Sequence, residues 1–99
     1  MEESSDSLSM VSFNQGIANF VGLSQLKLTS NKIEYLSPEI GKLTRLKMLW
    51  LSQNSLRQVP VEIGQLTKLE GLFLNHNFLE FLPYTVGRLI HIKNLRFVR

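Results

Sequence analysis

The sequence predicts an α/β solenoid, with a short parallel sheet on a concave face and turns, 3-10 or short helices on a convex face. Three observations predict it. Shifting the chain by 23 residues against itself aligns Leu23, Leu46, Leu69 and Ile92, then Leu26, Leu49, Leu72 and Leu95, then Leu28, Leu51, Leu74 and Phe97. The same shift carries Asn31 onto Asn54 and Asn77, Gly41 onto Gly64 and Gly87, and Pro60 onto Pro83, so the period extends to polar and backbone-special positions. Around Leu26 and Leu28, and at their equivalents, apolar residues alternate with variable ones, which is the pattern of a half-buried strand.

The elements follow in chain order. Residues 1–9 are acidic and Ser-rich and put Glu3 and Ser5 where the register asks for strand leucines, so the strand is expected to be missing and the segment to be a flexible tail. Met10, Phe13, Ile17 and Phe20 recur at intervals of three, four and three. That spacing fits either the convex half of a degenerate repeat or one face of a short amphipathic helix, and in both cases residues 10–22 cap the apolar end of the first full copy. Three complete copies span 23–45, 46–68 and 69–91, and a partial fourth occupies 92–99. Each complete copy offers seven apolar positions, in the second Leu46, Leu49, Leu51, Leu56, Val59, Ile63 and Leu66. A single copy has nothing to cover its strand, so neighbouring copies must bury one another.

Each copy reads L-x-x-L-x-L-x-x-N-x-L, as in Leu46, Leu49, Leu51, Asn54 and Leu56, and this order resembles the leucine-rich repeat. The second halves are Leu36-Ser37-Pro38-Glu39-Ile40-Gly41-Lys42-Leu43, Val59-Pro60-Val61-Glu62-Ile63-Gly64-Gln65-Leu66 and Leu82-Pro83-Tyr84-Thr85-Val86-Gly87-Arg88-Leu89. They are similar to the 23-residue intracellular repeats of Ras-pathway scaffolds, Ras-suppressor-like proteins and the plant Ras-group relatives. The resemblance covers residues 10–99 and implies a scaffold or adaptor in signal transduction, with a small GTPase, a phosphatase subunit or a kinase as partner. Ser37 stands where Pro60 and Pro83 sit, with Pro38 one place later, so the first turn is expected to differ slightly.

Asn31, Asn54 and Asn77 fall where the chain leaves the strand, and an amide can satisfy turn backbone that the sheet does not reach. They read as a structural ladder. Gly41, Gly64, Gly87 and the prolines read as turn and convex-side backbone choices. Glu34, Arg57 and Glu80 form one column of charge and Lys47, Glu70 and Lys93 another, with opposite signs on successive coils, which predicts weak pairs across repeats.

Composition narrows the function. The chain has no cysteine, no apolar run long enough to span a membrane and no secretion signal behind Met1, which favours a reducing cytoplasm or nucleoplasm. Residues 10–99 carry eleven basic and five acidic side chains, a balance of +6, but the basic residues are spread rather than bunched. A solvated face is therefore preferred over a nucleic-acid site. His76 and His91 are the only histidines and neither has a second histidine at ligand spacing, so no catalytic, metal or cofactor residues are assigned and the chain is expected not to be an enzyme.

Recognition is expected on the outward strand positions. Reading across the copies gives one row of Gln25, Met48, Gly71 and Asn94, a second of Lys27, Trp50, Phe73 and Arg96, and a third of Thr29, Ser52, Asn75 and Val98. Packing does not demand tryptophan on such a position. The candidate partner-binding residues are therefore Lys27, Met48, Trp50, Gln53, Phe73, Asn75, His76 and Arg96, with the aromatics as anchors and the cations steering an acidic protein. The competing reading makes Trp50 and Phe73 a cross-strand pair that shields the sheet. The sequence stops one residue short of the next expected Asn, which suggests as the alternative function a truncated fragment of a larger multidomain signalling protein or enzyme whose active domain is absent. It also leaves Leu95 and Phe97 on an open edge through which copies could associate.

Overall fold

The computed structural model describes residues 2–4, 16 and 20–98. Five three-residue strands form one parallel sheet in sequence order: β1 (Glu2–Ser4), β2 (Gln25–Lys27), β3 (Met48–Trp50), β4 (Gly71–Phe73) and β5 (Asn94–Arg96). Every strand residue pairs with the residue 23 positions on, from Glu2 with Gln25 to Phe73 with Arg96. In β2, β3 and β4 the central leucine points inward and is fully buried, while the residues flanking it face out. The fold class read from the repeat is the one observed.

One expectation is overturned. A strand does form at Glu2–Ser4, where none was expected for want of leucines, and it pairs in parallel with β2. The hydrogen bonds of a parallel ladder join backbone groups, so a segment with the correct 23-residue offset can join the sheet edge without the repeat's own side chains. The rest of the expected tail lies outside the described residues, as do Met10, Phe13 and Ile17 of the expected cap; Phe20 packs against the core.

The convex side is made of three 3-10 helices, Pro38–Lys42, Val61–Gln65 and Tyr84–Arg88. The residue before each is extended: Ser37 at φ −63° and ψ 143°, Pro60 at −66° and 151°, Pro83 at −65° and 150°. The difference expected at Ser37 is thus chemical rather than geometric. The Pro38 ring disfavours helical ψ for the residue before it, which holds Ser37 extended, and the Ser37 hydroxyl accepts from Glu39 N at 3.1 Å.

The core is a single cluster. All seven apolar positions of the first two coils are buried, from Leu23 to Leu43 and from Leu46 to Leu66. In the third coil Leu69, Leu72, Leu74 and Leu89 are buried, whereas Leu79, Leu82 and Val86 are only partly so.

The asparagine column binds coil to coil. Asn54 Oδ1 accepts from Asn31 N at 2.8 Å and Ile33 N at 2.9 Å in the preceding coil. Its Nδ2 donates to Leu28 O and Leu51 O, both at 3.0 Å, and so spans the two coils. Asn77 repeats the pattern one step on, accepting from Leu56 N at 3.0 Å and donating to Leu51 O and Leu74 O at 2.9 Å.

Gly41, Gly64 and Gly87 lie in the convex 3-10 helices. None has positive φ. A Cβ on Gly64 would lie 2.6 Å from Thr85 Cβ and 2.8 Å from the Thr85 carbonyl oxygen, and one on Gly41 would collide with the Gln65 side chain. At Gly64 the missing side chain lets successive convex turns close on each other, whereas at Gly41 the flexible Gln65 side chain is what fills the space. Thr85, buried in that space, donates to Val61 O at 2.6 Å.

Of the expected charge pairs, Lys93 meets Glu70 at 3.7 Å, the lysine side chain exposed and the glutamate partly buried. Arg57 makes no ion pair among the described residues and lies instead over the Phe78 ring, 5.9 Å from its centroid.

Asn54→Ala leaves the N–H groups of Asn31 and Ile33 and the carbonyl of Leu28 without their partner, with Leu51 O still held by Asn77, and should lower the unfolding free energy by about 3 kcal/mol in a urea titration. Gly64→Ala must push against the Thr85 backbone and should cost about 1 to 3 kcal/mol. Gly87→Ala, with nothing within 4 Å of its added methyl, should be neutral or gain up to about 1 kcal/mol.

Candidate functional site

The outward strand positions bring most of the candidate residues onto one surface. Register places Lys27, Trp50, Phe73 and Arg96 in a single row across β2 to β5, with Gln25, Met48, Gly71 and Asn94 beside it. Trp50 and Phe73 stack with ring centroids 5.6 Å apart and planes inclined by 7°, within the range of a favourable offset pair. Lys27 Nζ sits 5.1 Å from the Trp50 centroid, which keeps the cation over the ring face. Both aromatics are half-buried and Arg96 is exposed. The cross-strand pair of the competing reading therefore exists, and part of each ring still faces solvent.

Two further candidates are tied into hydrogen bonds between coils. Gln53 Oε1 accepts from Ser30 Oγ at 2.7 Å, and Asn75 Oδ1 accepts from Ser52 Oγ at 2.8 Å. Asn75, His76 and Arg96 line an open depression of roughly 370 Å³ together with Leu95, Phe97 and Val98. The site is thus an apolar ridge between two cations, bordered by a polar strip.

Sequence reasoning missed two features of this surface. Ser30, Gln53 and His76, each immediately before the ladder asparagine, adopt φ of 63°, 58° and 62°. Glycine is the usual marker of such a position, and none of the three is glycine. Gln53 and His76 consequently have a backbone duty apart from any contact with a partner. The second feature is Gly71, which is buried although it lies on an outward position. A Cβ there would lie 2.7 Å from Met48 Cε, 2.9 Å from Met48 Sδ and 2.9 Å from Phe73 Cε2. The thioether and the ring close over the bare backbone, and the signal available in the sequence was a glycine inside a strand.

Among the described residues no group of three or more His, Cys, Asp or Glu is placed to hold a metal ion, and no helix is long and apolar enough to cross a membrane.

Gly71→Ala should displace Met48 or the Phe73 ring and weaken the stack. The near-UV circular dichroism of Trp50, the only tryptophan, should change while stability moves by less than about 1 kcal/mol. An unaltered Trp50 signal would refute the role given to Gly71.

Comparison with known proteins agrees with this geometry. The leucine rich repeat family model matches residues 20–80. A leucine-rich repeat protein of Leptospira interrogans superposes with a TM-score of 0.85 at 34% sequence identity, over 91% of this chain. The match takes in 23% of that protein, so the chain spans about a quarter of its length. No curated protein sequence matches the chain. Repeat period, asparagine ladder, sheet register and family match agree: the chain belongs to the leucine-rich repeat family.

Proposed function

We propose that the chain is a non-catalytic protein-interaction module of the 23-residue intracellular type, working as a cytoplasmic scaffold or adaptor in signal transduction, and that its partner docks on the concave sheet. Leucine-rich repeat domains are typical protein–protein interaction modules and generally lack catalysis. The observation that carries the concave assignment is the half-exposed Trp50–Phe73 stack with Lys27 over the indole. Aromatic rings add large contact area at small entropic cost, which is why interfaces concentrate their energy in such residues.

Lys27 and Arg96 stand at opposite ends of the row, and the outward positions of β2 to β5 include no acid. A partner presenting carboxylates on either side of an apolar contact suits that charge. Met48 extends the apolar surface, while Gln53, Asn75 and His76 border it. The resemblance to Ras-pathway scaffolds supports a small GTPase, a phosphatase subunit or a kinase as the partner.

A Trp50→Ala, Phe73→Ala double variant should keep its far-UV circular dichroism and lose the proteins that the wild type captures in proximity labelling, with affinity falling by about 2 to 4 kcal/mol. Capture of an unchanged set by the folded variant would refute the concave assignment. Lys27→Ala with Arg96→Ala should chiefly slow association and flatten its salt dependence.

A further inference from the structure

We propose that the lateral flank of the second and third coils is a homodimer interface, occupied by a second copy of this chain. Nine large apolar side chains are exposed among the described residues, and five of them, Tyr35, Val61, Phe78, Phe81 and Tyr84, fall in three repeat columns between the asparagine turn and the start of the 3-10 helix. Phe78 is 60% exposed, Phe81 71% and Tyr84 80%. The folded core does not ask for apolar residues there, since Lys32, Ser55, Gln58 and Pro38 occupy the other places in the same columns. Two of these columns face outward in the earlier coils as well. Tyr35 at 51% and Val61 at 48% are exposed in coils that have another coil stacked after them.

The charge pattern points to a second copy as the occupant, and the apolar area supplies the centre of the contact. At roughly 200 Å² per large aromatic side chain, the three rings leave about 400 Å² facing water, the size of the largest patch on a typical monomer and about half of the ~800 Å² that each side of a standard interface buries. Arg57 and Glu80 are exposed, 23 residues apart in one column, yet neither makes an ion pair among the described residues. Arg57 leans on the Phe78 ring at 5.9 Å and Arg88 on the Tyr84 ring at 6.0 Å. A two-fold axis between the second and third coils exchanges the two coils. It sets Arg57 opposite Glu80 of the second copy and Glu80 opposite that copy's Arg57, with Val61 against Tyr84. Opposite signs in one column make this flank complementary to itself, whereas the concave row, with a cation at each end, would repel its own copy.

Sedimentation equilibrium over a wide concentration range tests the interface, with circular dichroism to verify folding; every substituted flank position is exposed. The wild type should dimerise. Phe81→Ser with Tyr84→Ser, and separately Glu80→Arg, should each weaken the dimer tenfold or more. Adding Arg57→Glu to Glu80→Arg restores opposite signs across the axis and should recover most of the loss. A Trp50→Ala, Phe73→Ala variant should dimerise like the wild type, so the concave assignment can fail without affecting this one. A wild type that stays monomeric at millimolar concentration overturns the proposal. So does a dimer untouched by either flank variant, which would place association elsewhere, for example at Leu95 and Phe97, and so does a charge swap that fails to recover it.

Discussion

The fold depends on satisfying the backbone where each coil leaves its strand. Strands of three residues make few ladder bonds, and beyond them the chain turns inward toward leucines that can accept or donate nothing. Without the Asn54 amide, the N–H groups of Asn31 and Ile33 and the carbonyl of Leu28 would lose their partner at the edge of an apolar core, while Leu51 O would keep only the bond from Asn77 Nδ2. An unpaired buried backbone group costs about 1 to 3 kcal/mol, which no single leucine contact offsets. Because one amide bonds both coils at once, it fixes their separation and their register together. The leucine columns then meet without slippage, and the outward residues line up as rows.

The convex side must close to a matching distance, and there the limit is steric. Gly64 gives way to Thr85 and Gly41 to the Gln65 side chain, so stacked 3-10 helices approach closely enough for the Thr85 hydroxyl to reach Val61 O. Between the two faces, Ser30, Gln53 and His76 take left-handed conformations that cost L-residues roughly 1 to 2 kcal/mol each. Bonds made at the same turns offset that strain, Ser30 N to Ser52 O at 3.1 Å and Gln53 N to Asn75 O at 3.0 Å. The left-handed conformation recurs at 23-residue intervals, with the bond at Ser30 and Gln53, so the turn is copied with the coil.

The features legible in the sequence were those that recur as residue identity. Leucine columns, the asparagine ladder and the offset of 23 residues prescribe the sheet, its register and the set of outward positions, and so the juxtaposition of Trp50 with Phe73. Features that recur only as backbone geometry were hidden. The left-handed column holds a serine, a glutamine and a histidine, so composition gave no sign of it. The β1 strand was hidden because backbone pairing persists without the expected leucines. Gly71 was visible as a letter, but its use depends on where Met48 and Phe73 lie, which is a matter of side-chain rotamers. The Arg57–Glu80 column looked like an ion pair, and the Phe78 ring took the cation instead.

Among the concave residues, contributions to recognition divide by what each group already has. Gln53 and Asn75 accept hydroxyl hydrogen bonds within the sheet, so a partner bonding to those same oxygens would exchange one bond for another at little net gain. Trp50 and Phe73 have one ring face committed to their stack, and what remains exposed is apolar area whose removal from water is a gain without exchange. Lys27 holds its ammonium over the indole face, which costs it less water than a buried carboxylate pair would. For a partner docked there as proposed, affinity would concentrate in the aromatic pair, with orientation and approach rate set by the cations at its two ends and the contact bounded by the polar strip.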